Sequence, residues 1–258
     1  MKFFKAKSFW RFWFFYVLSF IFLILFYFLY LYLTLPDVSL LATKTPEKTA
    51  LMKYRQQDKN YVKHRNNIIY HNIQYSQIPD LMRKTIIVAE DASFWIHEGI
   101  DWFEVRESIK KNINEGQFTR GGSTITQQLA RNLYLNPRKD ISRKIEEWLI
   151  ARELEKEIKK SRILELYLNV VEWGYNVFGI GAASSIYFQR PPSELYLDEM
   201  VRLAAVLPNP LEMNPTRVND SVLWRSKIIL KRLFQYEFIT EEQYRFNSEL
   251  LQFLYENQ

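Results

Sequence analysis

The sequence predicts an all-α domain behind a single transmembrane helix. Three observations carry this. A run of 24 residues, Phe12 to Leu35, holds no charge and is crowded with Phe, Leu, Ile and Tyr. From Pro79 onward, apolar residues recur at helical spacing, with prolines, glycines and capping residues between the segments. No convincing set of alternating or β-branched runs interrupts them.

The first run rises 1.5 Å per residue as a helix, which gives about 36 Å and spans a hydrocarbon core of roughly 30 Å with some tilt. Pro36 and Asp37 end it. A cleaved signal peptide would have a shorter apolar region and a small-x-small site after it. Residues 1–36 are therefore expected to be a retained anchor. Lys2, Lys5, Lys7 and Arg11 precede the span without an acid. By the positive-inside tendency the N-terminus is cytoplasmic and everything after Pro36 lies outside.

Those four cations account for much of the basic balance. Without them, 31 basic residues face 29 acidic ones, too small an excess for a nucleic-acid binder. Cysteine is absent, which excludes disulfides and a thiol nucleophile. The histidines, His64, His71 and His97, match no zinc signature, and no G-x-S-x-G supports a serine hydrolase.

Residues 37–78 are polar and basic, with Lys53, Arg55, Lys59, Lys63, His64 and Arg65 close together. They read as a solvated stalk, or as a basic surface resting near anionic headgroups. Residues 79–258 read as one helical domain. Helices are expected over Asp80–Ala89, Asp101–Asn114, and from Ser123 or Thr124, either of which can cap the segment through Leu133. Further helices are expected over Ile141–Ile158, from a Ser161 cap through Leu168, and over Ala182–Phe188 and Asp198–Leu207. Two more, near Val218–Glu237 and Thr240–Tyr255, close the chain.

Two carboxylates stand out. Glu90 and Asp91 follow the apolar run Ile86–Ala89 at a helix end, the negative pole, where acids are poorly placed. A carboxylate held against apolar residues has a raised pKa, which is how an acid or base is prepared. Glu147 shares a helix face with Arg143, Lys144 and Ala151, and Arg131, Arg138 and Lys139 extend the cationic run. Such spacing is commonly an exposed salt-bridge ladder. Beside a glycine-freed helix start at Ser123, with its unpaired N–H groups, it also suits an anion. Paired glutamates suggest glycosyl chemistry, and the cations suggest a phosphate leaving group.

Four stretches carry a family resemblance. Glu90-Asp91-Ala92-Ser93-Phe94-Trp95-Ile96-His97-Glu98-Gly99 resembles the E-D-x-x-F-x-x-H-x-G motif of the family 51 glycosyltransferases, the peptidoglycan polymerases. Gly121 to Leu129 is similar to their second motif, Arg143-Lys144-Ile145-Glu146-Glu147 to the third, and Arg162 to Asn169 to the fourth. Val170 to Gly174 and Val206 to Pro210 resemble the monofunctional branch. The resemblance implies a lysozyme-like α-helical fold that polymerises lipid II into β-1,4-linked glycan strands, releasing undecaprenyl pyrophosphate. It implies Glu90 as general base, with Glu147 acting on the pyrophosphate side either directly or through a divalent cation such as Mg2+ or Mn2+. Arg131, Lys139, Arg143 and Lys144 fall where the family binds pyrophosphate, and Ser123, Thr124, Gln127 and Gln128 match residues lining the cleft. Asp91, Phe94 and His97 match supporting positions. A membrane-dipping segment between the first two motifs is implied too, with Phe103, Ile113 and Phe118 as candidates. Arg131 departs from the Lys of many relatives, and Thr85 from an alanine.

The implied partners are lipid II, the nascent glycan strand, the inner membrane, and division or elongation proteins, with the catalytic domain in the periplasm. Two other readings compete. A glycan-cleaving enzyme of the lysozyme or lytic transglycosylase type would not be expected to carry so many cations beside the cleft. A non-catalytic envelope scaffold would be expected to have lost one of the glutamates.

Overall fold

The charge-free run folds as one helix, α1 (Phe3–Leu33), of which Phe12–Leu33 is long and apolar enough to cross a membrane. From Phe12 on, nearly all its apolar side chains are exposed, and a helix that is apolar all round has no stable place in water. The computed structural model describes residues 3–63, 67–115, 122–137 and 140–257, with the backbone alone at 3–11 and 115. The chain divides into two compact units, Met1–Asp37 and Val38–Gln258.

The second unit begins earlier than the sequence suggests. Residues 38–78 form no solvated stalk. They fold into α2 (Ala50–Gln57), α3 (Lys59–Val62) and β1 (Ile69–Tyr70), and they bury Val38, Leu41, Met52 and Tyr61. Thr49 caps α2 through Met52 N–H, and Asp58 caps α3. Lys53, Lys59 and Lys63 are exposed, Arg55 turns in to pair with Glu172 at 2.8 Å, and His64 and Arg65 lie outside the described residues.

The rest of the unit is helical. In order come α4 (Asp80–Glu90), α5 (Trp102–Glu115), α6 (Ile125–Tyr134), α7 (Ile141–Glu157) and α8 (Lys160–Val170). Then follow β2 (Glu172–Gly174), β3 (Val177–Phe178), α9 (Ile180–Phe188), α10 (Leu197–Val206), α11 (Asp220–Gln235) and α12 (Glu241–Glu256). The three strands form a small sheet in the order β1-β3-β2, β1 parallel and β2 antiparallel to β3. Strands this short leave no period to read in a sequence.

Helix α6 is the centre. It packs against α2, α7 and α8, and Ile125, Leu129 and Ala130 have no exposed surface. Thr124 caps it: its hydroxyl accepts from Gln127 N–H (3.1 Å) and Gln127 Oε1 accepts from Thr124 N–H (3.3 Å). Such a cap contributes about 1 kcal/mol. Helix α4 lies in a second group with α10 and α11. At α8 the N-cap is Lys159, which makes no side-chain cap, and the expected Ser161 lies inside the helix.

Candidate active site

Glu90 is the last residue of α4, and it ends against α6. Its carboxylate accepts from Gln128 Nε2 at 2.9 Å and faces Arg225 Nη2, on α11, at 3.5 Å. The side chain is 10 % exposed. Burial pushes its pKa up, and the Gln128 hydrogen bond and the charges of Arg225 and Arg131 pull against that. A carboxylate so placed is a base with an appetite for a proton.

The next residue holds the helix end in place. Asp91 Oδ2 accepts the first N–H of α6, from Ile125, at 2.8 Å, where the helix dipole favours an anion. His97 Nε2 lies 3.0 Å from both Asp91 oxygens, while His97 Nδ1 accepts from Gly99 N–H at 3.1 Å. With Nδ1 accepting, the ring proton sits on Nε2 and points at Asp91. Gly99 has φ +84°, and a Cβ there would meet the Ala151 carbonyl at 3.0 Å. Its own carbonyl accepts from Thr124 Oγ1 at 2.6 Å. Phe94, fully buried, packs its ring against Trp95 and His97. Asp91, Phe94, His97 and Thr124 thus lock the first motif to the start of α6.

Glu147 is not on an exposed ladder. Spacings of four and three put it on the stripe of Ala151 and Leu154, and it is 1 % exposed. Arg143 Nη1 donates to one oxygen at 2.9 Å and Lys144 Nζ to the other. Lys144 also donates to Ser123 Oγ (2.9 Å) and Gln127 Oε1 (3.4 Å), so motif residues from two helices share one ammonium. With both oxygens taken by cations, and no group of three His, Asp or Glu able to hold an ion among the described residues, the donor set around Glu147 does not fit a divalent metal.

Three groups keep donors in reserve. Among the described residues, the Arg131 side chain makes no hydrogen bond, and the buried Gln127 Nε2 and Arg143 Nε have no partner. Arg131 and Arg143 line a cavity of about 360 Å³ together with Gln128, Arg55, Glu172 and Pro208. Such a set of unspent, mostly cationic donors is chemically suited to an anion. A wider groove of about 650 Å³ between α11 and α12, lined by Trp224, Ile228 and Phe253, holds none of the motif residues.

The predicted residues therefore meet, with different employments. Arg131 and Arg143 line the cavity; Glu90 is joined to it through Gln128, and Glu147, with Lys144, Ser123 and Gln127 behind it, through Arg143. Gln128 is spent on Glu90 and on Tyr167, whose hydroxyl donates to its Oε1 at 3.1 Å. Lys139 and Phe118 lie outside the described residues. Sequence reasoning missed Arg225. Its signal was a cation on an apolar stripe, three residues after Val222 and four before Ile229, both buried.

Comparison with known proteins gives the family. The transglycosylase family matches residues 58–234. A biosynthetic peptidoglycan transglycosylase of Laribacter hongkongensis is 42 % identical over 164 residues, 64 % of this chain and 72 % of the relative. One from Nitrosomonas eutropha is 40 % identical over 181 residues, 69 % of this chain and 74 % of the relative. Among solved structures, penicillin-binding protein 1A of Haemophilus influenzae aligns with TM-score 0.40 and 17 % identity, over 70 % of this chain and 17 % of that one, too distant to add weight. The family match runs from α3 into α11 and takes in every motif residue of the site; the chain belongs to the transglycosylase family.

Proposed function

We propose that this protein is a peptidoglycan glycosyltransferase that polymerises lipid II, a disaccharide-peptide carried on a lipid pyrophosphate. The observation that carries it is the contrast between the two glutamates. Glu90 is buried with a raised pKa and suits proton uptake. Glu147 is buried between two cations and suits charge stabilisation instead.

The chemistry follows from that division. Glu90 takes the proton from the acceptor sugar's 4-hydroxyl as its oxygen attacks C1 of the donor sugar. The C1–oxygen bond to pyrophosphate breaks, and the electron pair leaves with the phosphate. Attack opposite the leaving group turns an α linkage into β-1,4. Arg131, Arg143 and Lys144 take up the negative charge that develops on the departing pyrophosphate. Glu147 fixes the last two in place. A leaving group neutralised in this way needs no proton from a second acid, unlike the neutral sugar oxygen expelled in glycan hydrolysis.

The membrane fits the substrate. Residues Phe12–Leu33 are suited to span a bilayer, and the basic N-terminus supports an orientation with the catalytic unit in the periplasm, anchored to the inner membrane. Trp102, Phe103, Ile109 and Ile113 of α5 are all exposed, Phe103 at 69 % and Ile113 at 74 %. An exposed apolar helix face supports contact with the lipid that carries the donor.

The test is purified full-length protein with labelled lipid II, products sized by gel. Elongated, muramidase-sensitive strands support the proposal, and Glu90→Gln abolishes them in a folded protein. Cleavage of preformed peptidoglycan with lipid II untouched would replace it with a lytic enzyme.

A further inference from the structure

The fourth motif, Arg162 to Asn169 on α8, has as yet no part in the chemistry. Two of its residues hold the scaffold. Arg162 donates to the Leu41 carbonyl (2.9 Å) and the Thr45 hydroxyl (3.0 Å), and Asn169 exchanges hydrogen bonds with the N–H and carbonyl of Ile73 (2.8 Å each). Tyr167 does something else. It is fully buried, and its hydroxyl donates to Gln128 Oε1 at 3.1 Å, while Gln128 Nε2 donates to Glu90 Oε2 at 2.9 Å.

A primary amide has nearly the same shape either way round but opposite polarity at its two ends. With nitrogen toward Glu90 it suits a carboxylate. Turned over, its carbonyl oxygen faces Glu90 and suits a protonated acid. The carboxylate cannot prevent the turn once it has taken up a proton, so something else must set the preference. Tyr167 does. Its hydroxyl makes this one hydrogen bond among the described residues. In the turned-over arrangement the phenolic proton would lie buried without an acceptor, a costly state.

We propose that Tyr167 is a positioning residue: acting through Gln128, it keeps an N–H on Glu90 and so holds the base in the form that can accept a proton. This rests on the reading of Glu90 as the base. The other charged groups that face Glu90 are Arg225 from α11, Arg131 from α6 and Asp91 beside it, and the variants below leave them in place.

The test compares wild type, Tyr167→Phe, Gln128→Leu and the double variant as full-length protein in detergent micelles. kcat/KM for lipid II is measured against pH. For Tyr167→Phe the acid limb moves up by about one pH unit, a roughly tenfold loss below the limb, with activity near wild type on the alkaline side. Gln128→Leu moves it at least as far, because the donor itself is gone, and the double variant moves it no further than Gln128→Leu. An unmoved limb in Tyr167→Phe, or shifts that add in the double variant, overturns the proposal. Should Tyr167→Phe not fold, a Gln128→Leu limb that does not move overturns it equally. Infrared titration of the Glu90 carboxyl, assigned by its loss in Glu90→Gln, reads the same shift without turnover. A carboxyl shift in a protein that polymerises nothing would sink the functional reading and leave the positioning role standing. Polymerisation with neither limb nor band moved would do the reverse.

Discussion

Removing Asp91 should unfold the site from its base. Its side chain is 2 % exposed, its Oδ2 accepts Ile125 N–H at 2.8 Å, and both oxygens meet His97 Nε2 at 3.0 Å. Asp91→Ala deletes two hydrogen bonds to a charged acceptor, each about 1.5–3 kcal/mol, and leaves two buried N–H groups unpaired. It also removes an anion from the α6 N-terminus, a contribution of about 0.5–2 kcal/mol that overlaps the Ile125 bond. Water entering the small void recovers part, so the net loss is about 4 kcal/mol. For a unit of this size that lowers Tm by roughly 8–16 °C. Asp91→Asn keeps an oxygen for both donors and should cost less than half as much. Thermal unfolding in detergent by circular dichroism measures both, and turnover should fall as well, because Glu90 is the neighbouring residue. A loss under about 1 kcal/mol for Asp91→Ala, or equal losses for the two variants, would refute the idea that this carboxylate ties the first motif to α6.

Three further outcomes are expected. Glu147→Gln leaves Arg143 and Lys144 without their shared anion; since both are partly exposed, stability should fall by only about 2 kcal/mol, while polymerisation on lipid II falls by about a hundredfold or more. Wild-type activity should drop as pH falls through a value above the ordinary carboxylate range of about 4.3, because burial raises the Glu90 pKa and only the deprotonated form accepts a proton; a pH–rate profile flat down to that range would contradict the base assignment. Met52→Ala should cost about 2–5 kcal/mol in a denaturant titration, as befits a side chain with no exposed surface rather than one in a stalk.

What could be read from the sequence was what local chemistry writes plainly. Thr124 and Thr240 announce helix starts because each is followed three residues on by a Gln that returns the bond, and both capping boxes are formed. Glu90 stood out because an acid at a helix end after an apolar run has no ordinary reason to be there. Residues 38–78 were misread because Leu51, Met52 and Tyr61 are few among many charges, and their partners lie a hundred residues away. Tyr61, for example, donates to Glu172 at 2.6 Å. Long-range pairing of that kind leaves no local period. Spacing alone read Glu147 as a surface ladder; Ala151 and Leu154 on the same stripe were the better guide. Arg225 carried the same clue and went unread because no charge lies three or four residues from it.

The reserve of unspent donors has a cost to the protein itself. Gln127 Nε2 and Arg143 Nε are buried polar groups without partners among the described residues, and the Arg131 guanidinium makes no hydrogen bond there. Each such group lowers the stability of the fold that carries it. Replacing Arg131 with a methionine would then give a sturdier and idler enzyme, whereas Gln127 also returns the capping bond to Thr124 N–H and cannot be exchanged so freely. Variants selected only for heat resistance should collect at Arg131, and their appearance there would mark the proposed anion site without any substrate being added.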